Sequence, residues 1–156
     1  MGFSYSLLRF QIPEGAGKVA RAELVLTHAE DAKFSAEESK AAPLEARPAP
    51  AGFEEETWDY GMHPQFLPEA RDGSVYGAGH GSPTGTGTFA ITIDLTKGPN
   101  SFAKAWESAA GKPGRTIALA LTTRMRPDEA GDSRIYKVYS RNSEPKLRPR
   151  LVVAFD

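Results

Sequence analysis

The chain contains no cysteine, and that absence removes a disulfide framework, a thiolate zinc site and a cysteine nucleophile together. It leaves the compartment open, because large secreted β-domains fold without disulfides. An excess of either charge is missing too: nineteen Lys and Arg face twenty Asp and Glu, for a formal net charge of -1. So balanced a chain lacks the electrostatic pull toward polyanions, which argues against a nucleic-acid module. Histidine is scarce, and His28, His63 and His80 stand too far apart in sequence for a helical metal pair. No run approaches the roughly 20 apolar residues that cross a bilayer, and residues 1–10 lack the basic start and apolar core of a secretory signal. The expectation is a soluble mature chain, or an excised piece of one, with no membrane insertion.

What is present is enough to fold. Apolar residues make up 40% and charged residues 25% of 156, a mixture suited to one packed core and a single domain over 1–156. Fifteen Gly and twelve Pro are more easily carried between many short strands than inside long helices. Residues 3–12 (FSYSLLRFQI), rich in aromatic and branched side chains and closed by Pro13 and Gly15, predict a strand. Residues 19–28 (VARAELVLTH) set Ala22, Leu24 and Leu26 on one face against Arg21 and Glu23 on the other, which predicts a second strand in the same sheet. Residues 53–58, 89–95, 116–123, 134–141 and 150–155 continue the series. Only residues 101–110 read as a helix, with Phe102, Ala105, Trp106 and Ala109 on one stripe and Gly111 and Pro113 to end it. One short helix among about seven strands predicts an all-β fold, an antiparallel β-sandwich of jelly-roll type. Two segments are expected to be flexible or irregular: 29–52, where Pro43, Pro48 and Pro50 interrupt, with a capping-box turn from Ser35 to Glu38, and the glycine-rich 59–88.

The chemistry-bearing motifs are thin. Ser101 and Lys104 fit the S-x-x-K spacing of serine acylases, but its companion motifs are absent and Ser101 is explained as a helix cap. The run from Gly77 to Gly87 invites a phosphate-loop reading and lacks the lysine that would reach the phosphates. His63 and His80 are candidates to converge with Asp59 or Asp72, and Glu30 with Asp31, or Asp128, Glu129 and Asp132, supply oxygen-rich loops for a possible structural calcium; the metal itself stays unknown and no other cofactor is indicated. Trp58 and Trp106 read as core residues, whereas Tyr60, Phe66 and Tyr76 fall in the long loop as exposed aromatics. Arg124 and Arg126 leave a strand directly and suit bidentate contact with an anion.

Several pieces, in order, resemble one family. Tyr5 to Phe10 with Ile12, Val19 to Leu26, Glu54 to Trp58, Ile93-Asp94-Leu95-Thr96, the helix to Trp106, and Tyr139-Ser140-Arg141-Asn142 followed by Arg148-Pro149-Arg150-Leu151-Val152-Val153 resemble the DNRLRE (disaggregatase-related) domains. Those lie close to a carbohydrate-binding module family with alginate-binding members. The resemblance implies a secreted or cell-surface accessory domain of jelly-roll type that binds a polysaccharide and does not cleave it. Members normally carry further strands before the first one here, so the resemblance also implies an open sheet edge, left by trimming, by a compact variant, or for a partner chain to fill.

The leading expectation is therefore a non-catalytic carbohydrate-binding module with Tyr60, His63, Tyr76, Arg124 and Arg126 as ligand contacts. An alternative is a structural or adhesion domain, assembling through the exposed edge with a strand-donating or homo-oligomeric partner. A small hydrolase using Glu54, Glu55, Glu56 or Asp94 is the third, because Glu54 and Glu56 would share a strand face.

Overall fold

Alternating side chains form a sheet only if a second apolar face covers them, and this chain supplies two such faces. The structure is a computed structural model that describes residues 6–31, 34–54, 56, 72–85, 87–123 and 136–156. In chain order these form β1 (Ser6–Gln11), β2 (Val19–His28), β3 (Leu44–Ala49), β4 (Gly77–Gly79), β5 (Gly81–Pro83), β6 (Phe89–Asp94), α1 (Phe102–Ala110), β7 (Thr116–Thr123) and β8 (Arg150–Phe155). Two four-stranded sheets result, ordered β1-β7-β3-β4 and β5-β6-β2-β8, and every pairing is antiparallel. Ala22, Leu24, Leu26, Ile91 and Ile93 from one sheet meet Leu44, Ala46, Ile117, Leu119 and Leu121 from the other in a single buried core. The expected two-layer, all-β arrangement with one helix is present.

Its elements and their pairing differ from expectation in several places. The first two strands do not share a sheet: β1 pairs with β7, while β2 lies between β6 and β8. The connecting residues 12–18 cross from layer to layer, turning at Gly15 with φ 71°, and Ile12 is anchored by its N–H to Arg115 O at 2.7 Å. Periodicity says which face of a strand is apolar; it does not say which neighbour the edge will find.

Segment 29–52 holds more order than its prolines suggested. The capping box forms, with Ser35 N donating to Glu38 Oε2 at 2.7 Å and Glu38 N to Ser35 Oγ at 3.2 Å. Beyond it β3 runs between β7 and β4. Proline is tolerated there because β4 pairs only with Leu44, Glu45 and Ala46, so the ladder on that flank ends before the ring that lacks an N–H. The glycine-rich stretch is likewise partly strand. β4 belongs to one sheet and β5 to the other, so the chain changes layer at His80. A Cβ on Gly77 would strike Asp94 O and one on Gly79 would strike Thr92 O. These glycines let the backbone of β4 close directly onto β6, which shuts the sandwich along that side.

Two expected strands are absent among the described residues: Phe53 and Glu54 are irregular, and of residues 136–141 only Val138 bridges, to His28. The helix is as expected. Ser101 Oγ accepts from Lys104 N at 3.3 Å, the work of an N-cap and not of an acylase serine. Phe102 and Trp106 point inward, and α1 packs on β7 of one sheet and β2 of the other. Tyr76 meets the Phe102 ring edge-on at 5.5 Å, and Trp106 lies 5.9 Å from the Phe155 ring.

Candidate functional site

The outward row of β7 is Thr116, Ala118, Ala120 and Thr122, and its register places Arg9 and Ala49 beside Ala118, Leu7 and Arg47 beside Ala120, and Glu45 beside Thr122. The small residues in the middle strand lie between two arginine-bearing strands and are themselves covered, Ala118 4% and Ala120 0% exposed. On an exposed sheet face such polar side chains would be solvated, yet Glu45 is only 8% and Arg47 only 5% exposed. Burial of both charges requires pairing and hydrogen bonds. They have them: Arg47 Nη2 donates to Glu45 Oε2 at 2.6 Å, Nη1 to Ser74 Oγ at 2.8 Å, and Nε to Thr122 Oγ1 at 3.1 Å. Ser74 is itself fixed from below, its carbonyl accepting from Asn100 Nδ2 at 3.2 Å.

At the β1 edge of the same face the polar groups reach solvent. Arg9 is exposed, with its guanidinium carbon 5.1 Å from the Phe53 ring centroid and Nη1 donating to Phe53 O at 2.8 Å. Phe53 in turn packs on Ala118 with Leu7, Ala49 and Ala51. Two residues along the same face stands Gln11, also exposed, with Nε2 donating to Gly114 O at 2.7 Å. The result is a planar cation placed over an aromatic ring, with an amide two residues along the same face, a pair suited to recognising carboxylate and hydroxyl oxygens. Glu45, the buried carboxylate of this face, accepts from Arg47.

The residues expected at the site fare differently. Tyr60, His63, Arg124 and Arg126 lie outside the described residues, as do Phe66, Trp58, Asp59, Asp128, Glu129 and Asp132. Tyr76, expected as an exposed stacking ring, is 3% exposed, and burial raises its phenol above the ordinary value. It is drawn in by two backbone bonds, Tyr76 N to Ala46 O at 2.9 Å and Gly98 N to Tyr76 O at 2.6 Å, so its faces belong to the core. Trp106 is buried as expected of a core residue. His80 is exposed, with Nδ1 3.2 Å from Gly81 O.

Of the hydrolase candidates Glu55 lies outside the described residues, and the others do not come together among the described residues. Glu54 and Glu56 are exposed and share no strand. Asp94 feels burial, which would raise its carboxyl, but bonds from Thr96 Oγ1 and Thr96 N at 2.5 and 2.9 Å hold it low, aided by Lys97 and Arg21. The Asp-Leu-Thr piece is thus a turn at the exit of β6. Asp31 bonds Lys137 Nζ at 2.6 Å, and among the described residues no three His, Asp or Glu side chains gather as metal ligands.

Sequence reasoning passed over Arg9, Glu45, Arg47 and Phe53. A signal was there: Leu44 and Ala46 alternate with Glu45 and Arg47, an opposite-charge pair at i and i+2. The three prolines nearby hid it. By class the described residues form a two-layer antiparallel β-protein with one α-helix among them. Compared with protein-family models, curated proteins and solved structures, the chain finds no match in any of the three.

Proposed function

We propose that the chain is a non-catalytic carbohydrate-binding module of a secreted or cell-surface protein, a sandwich of jelly-roll type that binds an extracellular acidic polysaccharide. The observation that carries the reading is the exposed Arg9 guanidinium 5.1 Å from the Phe53 ring centroid, on the same strand face as Gln11, at the β1 edge of its sheet. The ordered resemblance to DNRLRE domains read from the sequence supports it. Arg124 and Arg126 extend the proposed contact set, following β7 directly in sequence. Affinity electrophoresis through gels cast with alginate, pectin, fucoidan or a neutral glucan tests it. Retardation is expected on a uronate polymer and is expected to weaken about tenfold in Arg9→Ala, the loss of roughly one charge-assisted hydrogen bond. Free migration on all four polymers removes the reading.

A second reading is favoured by the sheet edges. β1 and β8 are terminal strands of their sheets, and on β8 Val152 is 50% and Phe155 42% exposed. Apolar residues on an open edge suit a structural or adhesion subunit that adds a strand from another chain. That reading expects mass to rise with concentration in light scattering; a monomer across the accessible range eliminates it.

A further inference from the structure

His28 is fully buried at the end of β2, and both ring nitrogens are used. Nδ1 lies 2.6 Å from Ala29 O, which has no proton to give, so Nδ1 carries the hydrogen and donates. Nε2 must then accept, and it does so from Lys137 N at 2.9 Å. The surroundings are aromatic: Phe89 stacks on the imidazole at 4.2 Å and 6°, with Phe34 tilted at 5.4 Å and Tyr136 edge-on at 5.8 Å.

Beyond His28 the segment is held by a few backbone bonds and by Tyr136 and Val138, which pack against the core. Ala29 N donates to Lys137 O at 2.8 Å and Tyr139 N to Thr27 O at 3.0 Å. Tyr136 Oη donates to Ala42 O at 2.6 Å. Since β6 already occupies one flank of β2 through His28, residues 137–139 lie along the other flank, beyond the last β2 residue that β8 covers, Val25. They complete that side of the sheet with a single bridge in place of a ladder.

We propose that His28 is the catch of a proton-operated latch: adding a proton at Nε2 turns the acceptor of Lys137 N–H into a second donor facing a donor, and residues 137–139 leave the end of β2. No bond other than N–H changes; the proton comes from solvent. The charged groups facing the ring are Asp31, whose field favours the proton, and Lys137, whose field opposes it. Asp31 is held by Lys137 Nζ at 2.6 Å, so a move of its carboxylate toward the imidazolium competes with an ion pair that anchors the same segment. Phe34 and Phe89 offer rings and Tyr136 a phenol that is already donating.

Burial, the largest influence, lowers the proton affinity of His28 below its ordinary 6.5, against the raising effects of the Ala29 bond and Asp31. The sign follows. Above 6.5 the ring is neutral both latched and free, and the latch holds in full; as pH falls below 6.5 the free ring takes up protons before the latched one, and the equilibrium tilts toward release. The opening exposes backbone groups of Thr27 and Ala29, an edge that is covered at neutral pH.

Amide hydrogen exchange by NMR, corrected for the intrinsic pH dependence, reads the latch directly on the whole chain. Protection of Lys137, Tyr139 and Ala29 N–H is expected to fall about tenfold or more between pH 7.5 and pH 5 while Leu24 and Ile91 keep theirs. Unchanged protection at Lys137 overturns the proposal, whether the ring stays neutral or tolerates its proton. A uniform loss across the sandwich overturns it as well, since that is global unfolding. His28→Gln, whose side chain can accept without titrating, is expected to abolish the pH dependence; persistence of it in that variant assigns the effect elsewhere.

Discussion

Arg47→Ala is expected to lower the stability of the fold by about 3–5 kcal/mol, because it strands the Glu45 carboxylate in a place built for an ion pair. Three bonds go at once, to Glu45, Ser74 and Thr122, and the serine and threonine hydroxyls lose a charged donor. The same physics predicts an asymmetry. Replacing the pair together, Glu45→Leu with Arg47→Met, removes both desolvation costs and is expected to return stability to near or above the parent value. Urea unfolding decides it: the midpoint drops sharply in the single variant and recovers in the double one, with the slope unchanged in both. If the single and double variants fall equally, the cluster is a packing feature and the electrostatic account of that face is wrong.

Trp106→Ala is expected to cost a similar ~3–5 kcal/mol through the cavity it leaves between the sheets. The indole is 3% exposed and touches Phe102 and Phe155, while α1 as a whole bridges β7 and β2. Its Nε1 is buried with no hydrogen-bond partner among the described residues. An unpaired donor of that kind costs ~1–3 kcal/mol to bury, so Trp106→Phe, which fills much of the volume and removes the N–H, is expected to be far milder than the alanine change. Thermal and urea unfolding of the two variants side by side give the difference. Equal losses would mean the nitrogen finds a partner in solution and that the sandwich is less dry beneath α1 than its geometry implies.

How much of this was written in the sequence depends on whether side chains announced it. β2, β7 and β8 sit where alternation placed them, and β1, β6 and α1 nearly so, because an apolar face of period two or 3.6 is the same physical object in sequence and in space. β3 was hidden by Pro48, a signal that normally demotes a strand and here fails because the β4 ladder stops at Ala46. β4 and β5 carried no signal at all, since glycine has no side chain to alternate; their order comes from the close approach to β6 that only glycine permits. The same close approach explains Tyr76. Surrounded by glycines it reads as a loop aromatic, yet those glycines are what allow its segment to be pulled between Ala46 and Gly98 and its ring to be buried.

The candidate site was less legible for a related reason. Alternation in residues 3–12 exposes Arg9 on the polar side, but not that Phe53, from a segment with no strand of its own, would lie beneath the guanidinium. Nor does local pattern reveal that Glu45 and Arg47, on what should be a wet face, are covered. His28 shows the opposite case: in phase with Ala22, Leu24 and Leu26 it falls on the inward face of β2, but the rings that enclose it, Phe34, Phe89 and Tyr136, come from distant parts of the chain and are not visible in the local pattern.

Titration of the isotopically labelled chain with a uronate oligosaccharide, followed residue by residue in NMR spectra, tests the proposed binding face most directly. Shifts that saturate and cluster on Arg9, Gln11, Phe53 and Ala118, and that disappear in Arg9→Ala, are the predicted result. Shifts confined to β8 and the outward face of β2, or none at saturating sugar, would contradict it.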